Sequence, residues 1–264
     1  MSPSRFTVVF ILVLVLAVTG PGLLLAQSRS RLVRIAAASD LRFALEELTA
    51  RLREAQPDLD VRVTYGSSGT FFAQIVNGAP FDLFMSADMD YPRQLAARGL
   101  TVAGSEFTYG IGRLVVWVPS MSVLDVERAG MQVLTDRRVL HVAIANPETA
   151  PYGRAAEAAM RRLGVYDSVK PKLVLGENVG QALQFVQSGS AEAGIVPLAL
   201  AIAPTVRTAG RFWAIPLEVY PRLDQGGVVL RGAADIDAAR QVRSFLLGDA
   251  ARTILKQYGF SFPE

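Results

Sequence analysis

The chain has 264 residues, no cysteine, one histidine and a formal net charge of +3. A hydrophobic content of 51% and a charged content of 19% describe an ordered globular protein, long enough for two lobes. Disulfides and lipid attachment through an N-terminal cysteine are excluded. One histidine without cysteine leaves no metal-ligand cluster, and the small net charge, with no basic run, makes no case for nucleic acid.

Arg5 is the only charged side chain before Arg29, and Phe6 to Val18 is almost unbroken apolar sequence. Gly20-Pro21-Gly22 and the small-residue site Leu24-Leu25-Ala26 follow. This is the layout of a secretory signal peptide over residues 1–26, with cleavage expected after Ala26. The alternative, a retained membrane anchor, would need about 20 apolar residues, more than this run supplies. Without Arg5 the net charge falls to +2, so any anion specificity must come from local geometry. An exported chain without disulfides suits a bacterial periplasm.

Arg31 to Ala38 reads as a strand. Leu41, Leu45, Leu48 and Leu52 then recur at helical spacing, with Asp40 as an N-cap candidate and Pro57 as a stop. Val61 to Tyr65 is the next strand and Phe71 to Val76 a short helix. Phe81 to Ala87 is a buried strand, and Met89 to Arg98 is a helix closed by Gly99. This alternation predicts a mostly parallel sheet. Arg113 to Pro119 (RLVVWVP), behind Gly110 and Gly112, marks the departure to a second lobe. There strands are expected at Leu140–Ala145, Lys172–Leu175, Gly194–Val196 and Phe212–Pro216, and helices at Gly153–Leu163 and Val179–Ser188. Gln225 to Arg231 reads as the return path, and two closing helices follow. The expected organisation is residues 29–110 and 226–264 in lobe 1 and residues 111–225 in lobe 2. The fold class is α/β: two mixed, mostly parallel sheets flanked by helices, with a ligand cleft between the lobes at the C-terminal ends of the strands.

Four strand-to-helix junctions carry the candidate chemistry. Ser39 and Asp40 follow the first strand, and Ser67 and Ser68 the second. Ala145 to Gly153 and Gly176 to Gly180 are the corresponding turns of the second lobe, placing Tyr152 and Val179 at helix starts. A helix N-terminus presents unpaired N–H groups and partial positive charge, so it attracts anions. None of the turns carries Lys or Arg, which favours holding an oxyanion by dipoles and hydrogen bonds rather than by countercharge. Each N–H or hydroxyl bond to a charged acceptor contributes roughly 1.5–3 kcal/mol, so six or seven exceed the roughly 8 kcal/mol of a micromolar ligand before ordering costs. Singly, each serine could be only an N-cap and Tyr152 only a packed aromatic.

The stretches AAASDLRFAL, YGSSGTFFAQIVNGAPFDLFMSAD, ANPETAPYGRAAEAAM and GENVGQALQFV resemble the periplasmic molybdate-binding proteins of ABC transporters, in order over essentially the whole mature chain to RTILKQYGF. The resemblance implies the two-lobed type II periplasmic binding protein fold and no enzymatic activity. It implies capture of molybdate, with tungstate as well, and delivery to an inner-membrane permease driven by a cytoplasmic ATPase. It implies a monomer without a cofactor or direct metal ligands, the metal arriving inside its oxyanion. The ligand contacts it carries over are the hydroxyl and N–H of Ser39 and of Ser68, and the backbone N–H groups of Tyr152 and Val179. Asp88 matches a motif residue near the cleft and is read as structural.

Two departures stand out. Pro197 occupies a position where some members place a ligand-contacting tyrosine, and it has neither hydroxyl nor N–H to give, so the Tyr152 hydroxyl is the candidate replacement. Asp40 sits inside the binding motif, where a carboxylate would repel a dianion; it is expected to turn away and cap the Leu41 helix or pair with Arg42. The rival readings are a receptor for another tetrahedral anion such as sulfate or phosphate, a secreted serine hydrolase using the GSSG turn, and the effector half of a transcription regulator. The hydrolase lacks a G-x-S-x-G elbow, and its only base, His141, falls in an apolar strand and reads as structural. The regulator has an export leader where a DNA-binding domain should stand.

Overall fold

The computed structural model describes residues 31–262. The signal peptide expected over residues 1–26 and its expected cleavage site lie outside the described residues. Within them no helix is long and apolar enough to cross a membrane.

The chain begins with β1 (Arg31–Ala38), a one-turn 3-10 helix (Ser39–Leu41), α1 (Arg42–Ala55), β2 (Leu59–Gly66), α2 (Ser68–Val76), β3 (Leu83–Ser86), α3 (Asp90–Ala97) and β4 (Phe107–Gly112). It crosses at Arg113 into β5 (Leu114–Pro119), the short α4 (Val126–Ala129), β6 (Val142–Ala145), α5 (Pro151–Arg162), the short α6 (Tyr166–Val169), β7 (Leu173–Gly176), α7 (Val179–Gln187), β8 (Ala193–Pro197), the short α8 (Leu198–Ala201) and β9 (Gly210–Ala214). It returns through β10 (Leu223–Val229) and closes with α9 (Ile236–Leu246) and α10 (Asp249–Gln257).

Two five-stranded sheets result, ordered β2-β1-β3-β10-β4 and β7-β6-β8-β5-β9. In the first, β1 runs parallel to β2 and β3, while β10 is antiparallel to β3 and β4. In the second, β6 runs parallel to β7 and β8, while β5 is antiparallel to β8 and β9. The fourth strand of each sheet is therefore the one that has just crossed from the other. The crossings fall a little away from the expected boundaries: residues 111–112 still belong to β4, and residues 223–225 already belong to β10. Strand pairing decides this, because β4 and β10 hydrogen-bond side by side from Leu223↔Gly112 onward. The sequence, by contrast, breaks its pattern at the glycines.

Apolar spacing becomes core. Leu45, Leu48 and Leu52 of α1 are buried in the same core as Val33 and Ile35 of β1. The return path is tied down by charge. Arg31 Nε donates to Asp235 Oδ2 at 2.7 Å, and the buried Asp82 accepts from the N–H groups of Arg34 and Ala234 at 2.7 and 2.8 Å. Asp235 also caps α9 by accepting from Ala238 N–H; the Arg31 bond first, and this cap second, pull its carboxyl down to about 2.

Register aligns the functional ends. Ala38 pairs with Gly66, so Ser39 and Ser67 leave adjacent strands at the same level. Ala145 pairs with Gly176, which does the same for Asn146 and Glu177. Four helix starts are brought to one place between the two sheets.

Candidate anion-binding site

A small cavity of about 10 Å³ lies where those starts meet. Its walls include Ser39 and Asp40, Ser67 and Ser68, Pro151 and Tyr152, and Asn178 and Val179, with Ala87 and Ala150 beside them. All four predicted contacts, Ser39, Ser68, Tyr152 and Val179, are buried in this one wall, and no Lys or Arg joins them. That is roughly the room of one water-sized sphere, far below pockets for drug-sized molecules, so the space excludes a sugar or peptide. A wider groove alongside shares Ser39 and Asn178 but is lined further out by Arg42, Tyr65 and Gln181. It is the flank of the cleft, away from the convergent N–H groups.

Each junction leaves donors free for a local reason. Asn178 caps α7, its Oδ1 accepting from Gly180 N–H at 2.9 Å and Gln181 N–H at 3.2 Å. That uses the second and third amides of the helix and leaves the first, Val179 N–H, with no partner among the described residues. In α5, Pro151 occupies the first position and has no N–H to offer. Tyr152 N–H is then the first amide of that helix, and it too is unpaired among the described residues. Gly153 follows because a Cβ there would collide with the Ala145 carbonyl oxygen. Ser68 Oγ accepts from Ala87 N–H at 3.0 Å, which leaves its own proton for another acceptor. Ser39 Oγ donates to the Gly66 carbonyl at 3.1 Å, so its hydroxyl is spent on the neighbouring strand and its backbone remains toward the cavity.

The cleft is closed in this structure. Thr149 O accepts from both Ser67 Oγ and, at 2.8 Å, Gly69 N–H, joining the α2 start to the turn before α5. On the rim, Arg154 Nη2 of α5 donates to Asp88 Oδ2 at 2.8 Å and its Nη1 donates to Tyr91 Oη at 3.4 Å. Burial raises the Asp88 carboxyl, and the Tyr91 N–H and Arg154 offset that.

Asp40 departs from expectation. It neither caps α1 nor pairs with Arg42, whose Nε instead approaches Glu46 at 3.4 Å. The 3-10 turn before α1 turns the side chain inward, where it is 1% exposed. Its Oδ2 accepts from Tyr152 Oη at 3.0 Å and from Gln225 Nε2 at 2.6 Å, and Gln225 Nε2 lies 2.7 Å from Tyr152 Oη. Burial raises this carboxyl to about 7, against the opposing pull of the bonds from Gln225 and Tyr152. The Tyr152 hydroxyl is thus committed to Asp40 and is not a free replacement for the contact missing at Pro197. Pro197 itself ends β8 opposite Leu114, outside the cavity wall. Gly112 makes room for the trio, since a Cβ there would collide with both Tyr152 Oη and Gln225 Nε2.

Gln225, fully buried at the centre of this network, was not identifiable as a site residue from sequence. Its only signal is a polar side chain opening the apolar run QGGVVL. His141 also differs from the expectation of a strand residue. It precedes β6 and is half-exposed, with its N–H donating to Glu192 Oε2 at 2.7 Å. It therefore stands at the N-terminal end of its sheet, while the serines stand at C-terminal strand ends, so it cannot serve them as a base. Among the described residues no group of three His, Cys, Asp or Glu side chains could hold a metal ion.

Comparison with known proteins agrees with this architecture. The family model described as bacterial extracellular solute-binding protein matches residues 33–261. The molybdate-binding protein ModA of Azotobacter vinelandii is 36% identical over 241 residues, covering 91% of this chain and 94% of the relative. That of Rhodobacter capsulatus is 39% identical over 200 residues, covering 76% and 77%. The solved Azotobacter vinelandii periplasmic molybdate-binding protein superposes with a TM-score of 0.82 at 34% identity, covering 88% of this chain and all of that one. A sulfate-binding protein from Mycobacterium tuberculosis shares the fold with a TM-score of 0.71 at 16% identity. With two five-stranded sheets and a closed cleft of helix starts, the chain belongs to the bacterial extracellular solute-binding protein family, as a substrate-binding protein and not an enzyme.

Proposed function

We propose that this protein captures molybdate, and tungstate as well, and delivers it to an inner-membrane ABC permease from the periplasm. The observation that carries the reading is the convergence of four cation-free helix starts on one small buried cavity, with the Val179 and Tyr152 amides unpaired. A fully deprotonated tetrahedral dianion needs only donors, and buried donors oriented in advance recover its desolvation cost without a countercharge. The names of the curated relatives support molybdate over other anions of that shape. Release to a permease would follow from opening at the two crossings, Gly112–Leu114 and Tyr220–Leu223, since these segments join the sheets. We read the protein as a monomer.

Calorimetric titration of the mature protein with molybdate, tungstate, sulfate and phosphate tests this. Saturable heat with molybdate and tungstate at micromolar or tighter affinity is expected. Saturable heat with sulfate alone would overturn it.

A further inference from the structure

Asp40 is the one acidic side chain in the wall of a cavity read as an anion site. Both side-chain hydrogen bonds it receives fall on Oδ2, and the backbone N–H groups of Asp40 and Leu41 also act on the carboxyl. Its Oδ1 is buried and has no partner among the described residues. A charged carboxylate in that wall would repel a dianion held in the same cavity, and no cation bonded to it offsets the repulsion. A carboxyl oxygen carrying a proton would instead be one more donor, of the kind the other walls supply.

The surroundings favour the neutral form. On α5 the carboxyl faces Tyr152, and from β4 it feels Tyr109, whose hydroxyl donates to the Ser86 carbonyl at 2.8 Å. Burial holds both phenols well above their usual range, so both stay neutral. On β10 it faces the uncharged Gln225, and Tyr220 lies beyond Tyr152. Asp88, which acts on Tyr109, is tied to Arg154. No cation bonds to Asp40, and desolvation is the largest influence on it.

We infer that Asp40 is a binding residue in its protonated form, donating from Oδ1 to the captured oxyanion, so that each dianion enters the cleft with one proton. The proton is taken from solvent onto a carboxyl that is partly ionised in the unliganded protein. No covalent bond forms or breaks. The inference rests on the anion reading above and adds a specificity element to it. The site selects a fully deprotonated anion, because a protonated one would oppose its own donor to that of Asp40.

The test is calorimetry of the full mature protein with sodium molybdate at several pH values, in two buffers of different ionisation enthalpy. With the carboxyl near its midpoint at about pH 7 before binding, affinity is expected to be about tenfold weaker at pH 8 than at pH 6, with proton uptake approaching one per anion at pH 8. D40N should show one affinity across that range and no uptake, because its amide can donate but cannot titrate. Equal affinity at both pH values without proton uptake in the wild-type protein would overturn the inference while leaving molybdate binding intact. The wild-type slope persisting in D40N would overturn it too. No saturable heat at any pH would remove the anion reading and the inference with it.

Discussion

The two halves of the site are built on the same sheet order but reach the cavity by different means. In the second lobe the work is left to the backbone: Pro151 and Asn178 remove or occupy neighbouring groups so that Tyr152 N–H and Val179 N–H are the unpaired amides. In the first lobe side chains intervene. Ser39 and Ser68 bond strand ends through their hydroxyls, and Asp40 is buried between the jaws. The difference teaches that a helix start is a generic donor whereas a side chain is a tunable one. On the proposed reading the second jaw would meet negative charge with its amides, and the first would add a carboxyl that titrates.

The comparison can be broken at several points. The largest effect is expected at Asp40. Its folded pKa of about 7 stands above the unfolded value, so the contribution of this group to stability is full below about pH 4 and is lost as pH rises through 7. Without ligand, the stability of the wild-type protein relative to D40N should therefore fall by about 4 kcal/mol between pH 4 and pH 8, measured by chemical denaturation. A constant difference would show that the first jaw has no titrating element. Next comes Gly153→Ala, which drives a methyl group against the Ala145 carbonyl and should cost about 3 kcal/mol in the same assay, because backbone on both sides cannot give way.

Val179→Pro separates donor from scaffold. Proline is favoured at the first position of a helix, and Asn178 already has the extended backbone that precedes proline. Melting temperature should change little while molybdate affinity falls about 10- to 100-fold, as one charge-assisted bond is lost. Unchanged affinity would remove the second jaw from the site. The smallest effect is expected for Arg154→Ala, which cuts the half-exposed rim contact to Asp88. About 0.5 kcal/mol or less should be lost, and affinity should weaken less than threefold.

Much of the fold was legible because each element carries its own signal: apolar strands, leucines at helical spacing in α1, Pro57 and Gly99 as stops. The four junctions were legible because each is local, a strand end followed within a few residues by a helix start. The network of Asp40, Tyr152 and Gln225 was not. Its members lie 112 and 185 residues from Asp40 along the chain. Nothing in the sequence around Gln225 says that β10 will carry it to β4 and against α5. For the same reason local sequence points Asp40 to an N-cap or to Arg42, the common fates of an aspartate before a helix, and leaves the Tyr152 hydroxyl free.

The sequence by itself determined the alternation of strands and helices, the turns that expose amide groups, and the absence of any cation within them. These follow from backbone propensities and from residues a few positions apart. Tertiary structure alone decided which sheet each crossing strand joins, how each serine hydroxyl is bonded, and where the Asp40 carboxyl points. Those outcomes depend on strand register and on desolvation, and both arise only when distant segments are pressed together.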